Sequence, residues 1–155
     1  MARVDFHSQV GDKLSYTCRL TRKIFSLATG KEALKKIVIL GSSEDLEKLD
    51  SMLWNFSPEE FLPHCMADED NAVCTPILLA TQYDEALFEN LAHQDVLIHI
   101  GQDVLQDIEK ITHRFERVIE VVSLEEPDVQ AGRQRYKQYR DLGLELFNHD
   151  QKGAK

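Results

Sequence analysis

The chain reads as one α/β domain: a single open, mostly parallel sheet of about five strands flanked by helices. Short apolar, β-branched runs such as KKIVILG, TPILLA and DVLIHIG have the composition of strands covered on both faces. Segments with apolar residues at helical spacing lie between them. The 155 residues contain no internal repeat, low-complexity segment or linker, and they are enough to bury one sizeable core.

Taken in order, VDFHSQV (4–10) alternates apolar and polar side chains and predicts a short strand. GDKL then opens a helix with Leu14, Cys18, Phe25 and Ala28 on one face and Leu20, Ile24 and Leu27 beside it, and Gly30 is its stop. KKIVILG (35–41) predicts a buried strand. The next helix follows, with Ser42 and Asp45 at capping-box spacing, Leu46, Leu49, Leu53 and Phe56 at helical intervals, and Pro58 as its end. EEFLPHC is a short extended piece, because Pro63 disfavours helix at Leu62. MADEDNAVC is an acidic loop. TPILLA (75–80) and DVLIHIG (95–101) predict strands around a short helix in YDEALFENLA. VLQDIEKITHRF predicts a helix, RVIEVVS (117–123) a strand, and 125–146 the last helix. These elements form one domain over 1–147, with 148–155 as a loose C-terminal tail.

Lys and Arg number 18 against 27 Asp and Glu, a net charge of −9 that opposes general binding to nucleic acid. No apolar run reaches the length of a membrane span, and MARVDFHSQV lacks a signal-peptide core. Cys18, Cys65 and Cys74 have no framework spacing and favour a reduced, cytoplasmic setting.

The turn ILGSSEDLEK has one glycine before a helix but lacks the further glycines of a dinucleotide site and the Gly-Lys-Ser/Thr of a phosphate loop. Glu44 and Asp45 would repel a phosphate there. His64, Cys65 and Cys74 lack the paired spacing and fourth ligand of a zinc site, so no metal is expected. Asp68, Glu69 and Asp70 lack the glycine and terminal Glu of a calcium loop. With no nucleophile elbow or supported Ser–His or Cys–His pair, catalytic residues and cofactors are both expected to be absent.

One stretch stands apart. GRQRYKQYR (132–140) holds four cations and two tyrosines in nine residues, with no acid. At about 100° per residue, Gly132, Tyr136, Tyr139 and Gly143 form a seam, with Arg133, Lys137 and Arg140 along its border and Arg135 pointing elsewhere. A cationic edge beside an aromatic seam suits a ligand that is both acidic and apolar. The plainer alternative is that the tyrosines anchor the helix while the cations are a solvated face.

The series LDSMLW (49–54), FLPH (61–64), TPILLA (75–80), FERVIEVV (115–122) and RQRYKQYRDLG (133–143) resembles, in that order, the chi subunit of bacterial DNA polymerase III holoenzyme. The likeness runs from VDFH to about Phe147; His99, where the corresponding segment is associated with Asn, is a departure. The resemblance implies a nucleotide-binding-like fold without a nucleotide site, and a non-catalytic accessory protein of the clamp-loader assembly. Its implied partners are the acidic C-terminal tail of single-stranded DNA-binding protein, which ends in Pro-Phe, and the psi subunit, which joins it to the clamp loader. On that reading Arg133, Tyr136, Lys137, Arg140 and Trp54 bind the tail. Phe61, Pro63 and His64 face psi, unless Phe61 is core, Pro63 merely ends a strand and His64 caps something locally. Two other functions compete: a nucleotide-dependent α/β enzyme using the Gly41–Ser43 turn, and a direct single-stranded DNA binder using the last helix.

Overall fold

The computed structural model describes residues 2–27, 35–55, 62–103, 105 and 107–151. The strands are β1 (Arg3–Val10), β2 (Ile37–Leu40), β3 (His64–Met66), β4 (Ile77–Ala80), β5 (Val96–His99), β6 (Arg117–Ser123) and β7 (Leu146–Asp150). The helices are α1 (Lys13–Leu27), α2 (Ser43–Asn55), α3 (Glu85–Phe88), α4 (Ile108–Arg114) and α5 (Glu126–Asp141), with a 3-10 turn at Asp70–Cys74 inside the expected acidic loop. All seven strands form one wholly parallel sheet in the order β3-β4-β2-β5-β6-β1-β7.

The predicted fold class is thus realised, with seven strands in place of about five. The extended piece around Pro63 supplies β3, whose His64 pairs beside Ile77 of the neighbouring strand. β7 lies where the sequence predicts the end of the last helix and the start of a loose tail. The helix stops five residues early because Gly143 takes φ +79°, a left-handed conformation that glycine adopts without strain. Gly143 N–H then bonds Arg140 C=O at 2.9 Å and Leu144 N–H bonds Tyr139 C=O at 3.3 Å, a Schellman closure that turns the chain back along β1. Asn148, His149 and Asp150, expected in the tail, therefore pair with Phe6, His7 and Ser8. The expected stops at Gly30 and Pro58, and the helical positions Ala28 and Phe56, lie outside the described residues.

A parallel sheet needs cover on both faces. One face packs Ile37, Ile39, Ile77, Leu79, Ile98 and Val121 against Cys18, Leu20 and Ile24 of α1 and Leu46, Leu49 and Leu53 of α2. Ser42 caps α2 as predicted, its Oγ accepting from Asp45 N–H at 3.1 Å. The other face packs Val4, Phe6, Leu97, Val118 and Val122 against Phe88 of α3, Ile111 of α4 and Tyr139 of α5.

Polar groups are buried on both faces. On the first, Asp5 is fully buried on β1 and receives Arg117 at 2.9 Å, Arg3 at 3.0 Å and His149 at 2.8 Å. Next to it, His7 is hydrogen-bonded to the Tyr16 hydroxyl. Burial, helped by the neighbouring charge of His149, pushes the His7 imidazole from 6.5 down to about 4. On the second face, Glu120 of β6 is fully buried. Its Oε1 accepts from Arg135 Nε at 2.9 Å and His99 Nδ1 at 2.7 Å, and its Oε2 from the Tyr139 hydroxyl at 2.7 Å. Burial alone would raise the Glu120 carboxyl. The charges of His99 and Arg135 and the hydrogen bonds of His99 and Tyr139 outweigh it, leaving the group below its ordinary value.

Two expectations follow from these buried groups. Glu120→Gln leaves Arg135 buried without its counter-charge and should cost about 3 kcal/mol in urea unfolding at neutral pH; a loss under about 1 kcal/mol would contradict the ion pair's role. His7 is lower in the folded than in the unfolded chain, so its contribution is complete above 6.5 and declines as pH falls toward about 4. Stability should drop by about 2 kcal/mol between pH 6.5 and roughly pH 5. His7→Phe should remove most of that slope and leave the part owed to His93, whose pKa burial also lowers.

Candidate functional site

Helix α5 carries the cationic stretch, and its roll about its own axis is set from inside. Asp128, Gly132, Arg135 and Tyr139 are its buried residues, spaced so that they share one stripe. Asp128 Oδ2 accepts from Ser123 N–H at 2.7 Å and pairs with Lys13 Nζ at 2.7 Å, fixing the first turn to the end of β6 and to α1. At Gly132 the helix lies so near β6 that a Cβ would stand 3.0 Å from a Val122 methyl. Arg135 and Tyr139 close on Glu120 of β6, and Arg135 also gives a 2.8 Å hydrogen bond from its guanidinium to the Gln102 carbonyl.

With that stripe inward, Arg133, Lys137 and Arg140 are exposed along the opposite side, about 10 Å from first to last. Among the described residues none of the three makes an ion pair. Arg135, by contrast, is spent on the interior. The sequence pattern joins Tyr136 to Tyr139 in one seam, and here the structure differs. Tyr139 is fully buried, whereas Tyr136 is 37% exposed and leans on Phe6 with ring centroids 5.2 Å apart. Gly143 ends the helix and takes no part in the seam.

Beside Tyr136 a groove of about 400 Å³ opens between α5 and the β1–β7 edge of the sheet. Phe6, Val122, Val129 and Gly132 give it an apolar wall; Ser8, Gln9 and Asn148 give it polar groups; Arg133 stands over it. Lys137 and Arg140 continue the cationic face beyond the groove's own lining. Sequence reasoning found Arg133 and Tyr136 and missed Phe6 and Asn148. Phe6 was detectable, since the alternation in VDFHSQV puts it on the same face as Val4. Asn148 was not, because its place depends on β7.

Trp54 does not join this site. It sits on α2, which covers the other face, and its indole lies 4.2 Å from the ring of His64 on β3. β3 and β7 are opposite edges, six strand spacings or about 29 Å apart. Trp54 is 49% exposed and covers His64, which is 5% exposed. His64 is held locally, its Nδ1 2.7 Å from the Leu62 carbonyl and its Nε2 2.9 Å from Asp50 Oδ1, so its ring supports the surface that Trp54 presents. Pro63 is half-buried beside it, and Phe61 lies outside the described residues.

The expected turn for a nucleotide, Gly41–Ser43, borders a separate cleft of about 410 Å³ whose lining includes Asp45 and Asp103 and, among the described residues, no Lys or Arg. An acidic wall without a cation disfavours phosphate. No group of three metal-ligating side chains occurs among the described residues, and no helix is long and apolar enough to cross a membrane.

Comparison with known proteins gives the same answer from several directions. Residues 1–147 match the family described as DNA polymerase III chi subunit, HolC. A Pseudomonas aeruginosa protein named DNA polymerase III subunit chi is 29% identical over 154 residues, covering 96% of each chain. A Haemophilus influenzae protein of the same name is 32% identical over 113 residues, covering 72% of this chain and 73% of the relative. With the match extending over nearly its whole length, the chain belongs to the DNA polymerase III chi subunit family.

Proposed function

We propose that this chi-family chain is a non-catalytic accessory subunit whose α5 groove reads the acidic C-terminal tail of single-stranded DNA-binding protein, tying that protein to the replicase. The observation that carries this reading is an apolar groove next to three cations without acidic partners among the described residues. The terminal phenyl ring of the tail enters against Phe6, Val129 and Tyr136. Arg133, at the groove's rim, takes the terminal carboxylate through its planar fork, which suits a carboxylate better than a Lys ammonium. Lys137 and Arg140 meet the aspartates upstream.

The magnitudes rank these contacts. Burying the phenyl ring yields roughly 1.5–3 kcal/mol, a charge-assisted hydrogen bond about 1.5–3 kcal/mol, and each exposed ion pair about 0–1 kcal/mol. After the loss from ordering the tail, micromolar affinity is expected, weakening with salt. The net charge of −9 keeps the same helix from adhering to DNA, which disfavours the direct DNA-binding alternative.

A second docking surface, for psi or an equivalent clamp-loader protein, is proposed on the opposite edge around Trp54 and Pro63. Trp54 belongs with this surface because its ring lies against His64, centroids 4.2 Å apart. Separation by the width of the sheet would allow both partners to bind at once.

Calorimetry with a synthetic acidic peptide ending in Pro-Phe tests the tail site. Arg133→Ala should weaken binding by about 10- to 100-fold and Arg140→Ala by less than about 5-fold, both with unchanged melting temperature. Equal affinity for Arg133→Ala and the parent would overturn the assignment. Trp54→Ala should leave peptide binding unchanged and abolish capture by psi. Loss of peptide binding in Trp54→Ala would return that residue to the tail site.

A further inference from the structure

We infer that Gln9 is a specificity-determining residue of the α5 groove, its side-chain carbonyl accepting the main-chain N–H of the last residue of a docked acidic peptide. The inference rests on the peptide-reading function proposed above and supplies the acceptor that its contacts lack.

The backbone singles Gln9 out. β1 pairs in register with β6 as far as His7 and Val121 and resumes at Val10 and Ser123, so β1 takes three steps where β6 takes two. Gln9 sits in that bulge with φ +57°, the left-handed region that glycine would occupy without strain. Bulges re-aim side chains next to binding sites, and a strained residue that is not glycine persists only where its surroundings hold it. Gln9 lines the groove together with Ser8, Val122 and Ser123 around the same bulge.

The side chain is anchored by one end. Gln9 Nε2 donates to Asp150 Oδ2 at 3.0 Å. An ionised carboxylate only accepts, so the amide nitrogen faces Asp150 and the carbonyl Oε1 is the end left over. Among the described residues no donor bonds Oε1. The groove's other side-chain carbonyl, Asn148 Oδ1, already accepts from Ser8 Oγ at 3.0 Å.

A docked peptide end calls for such an acceptor. Arg133, Lys137 and Arg140 only donate, and they meet carboxylates. The terminal residue also brings an N–H on the same Cα that bears its ring and carboxylate. Seating the ring against Phe6 and Tyr136 therefore takes that N–H out of water. A proline before it has no N–H, so this is the one main-chain donor of the last two residues. A buried donor left unpaired costs more than a made hydrogen bond gains, and Gln9 Oε1, on the wall of the same groove, pairs it.

The test is calorimetry on the full chain with two peptides: an acidic one ending in Pro-Phe, and its ester analogue, in which phenyllactic acid replaces the last residue and the N–H is gone. The parent should bind the ester about 10-fold more weakly than the amide. Gln9→Gly should bind the amide about 10-fold more weakly than the parent does and should barely distinguish it from the ester. It should melt no lower than the parent, because glycine relieves the left-handed backbone. Gln9→Asn, which also tolerates that backbone but withdraws the carbonyl, should shift both readings in the same direction. Arg140→Ala, which acts through charge, should keep the full ester penalty. A merely structural role for Gln9 would leave that penalty intact in the Gln9 variants, and this result would overturn the inference. So would Gln9→Gly binding the amide peptide as tightly as the parent. If the parent binds neither peptide, the tail-reading function itself fails and the inference falls with it.

Discussion

A single buried carboxylate organises the functional half of this molecule. Glu120 sits in the middle of β6 with no exposure, a costly position for a charge unless donors and a counter-charge surround it. Arg135, Tyr139 and His99 supply three hydrogen bonds, two to Oε1 and one to Oε2. Two of those partners come from α5, so the carboxylate determines which side of the helix faces the sheet. Once Arg135 and Tyr139 point inward, the 3.6-residue repeat leaves Arg133, Lys137 and Arg140 facing out. The third partner belongs to β5, and there the same carboxylate fixes the direction of an imidazole at the edge of a cleft. One acid therefore sets both the outward cationic face of α5 and the orientation of the His99 ring beside the cleft.

This explains how an acidic protein carries a cationic surface. The charge of −9 is spread over the whole chain, whereas three cations without ion-pair partners among the described residues are concentrated on one helix face. At physiological ionic strength exposed charges are screened beyond about 8 Å, so a docked peptide experiences the local face more than the distant acids. A long polyanion such as DNA samples more of the surface and meets the overall repulsion. The groove next to the cations adds an apolar requirement that nucleic acid backbones do not meet. On the proposed reading, charge and shape favour the same class of partner.

The sheet also keeps its two candidate protein-binding regions apart. α5 and the β7 edge lie at one end, and Trp54 over His64 lies at the other, on the helix layer of the opposite face. An adaptor benefits from such separation because neither partner needs to leave before the other arrives. That arrangement is consistent with the linking role proposed above.

Local sequence determined much of this. The strand-like runs became buried strands because apolar β-branched residues need cover on both faces. Ser42 capped its helix, and Arg133, Lys137 and Arg140 fell on one side because helical spacing brings i, i+4 and i+7 together. The sequence could even separate Arg135 from that group. It could not say that Arg135 would end on Glu120, fifteen residues earlier, since only the stacking of α5 on β6 brings them together. Nor could it place Trp54, because a helix period shows which residues share a face but not which face of the sheet that helix covers. The last strand was the largest omission: LFNHD has little β-branched content and is only partly buried, and it becomes a strand because Gly143 reverses the chain beside a β1 edge waiting to be paired. Periodicity and capping are local and were legible from the residues alone; pairing across the sheet and the satisfaction of buried charge are long-range, and only the tertiary structure decided them.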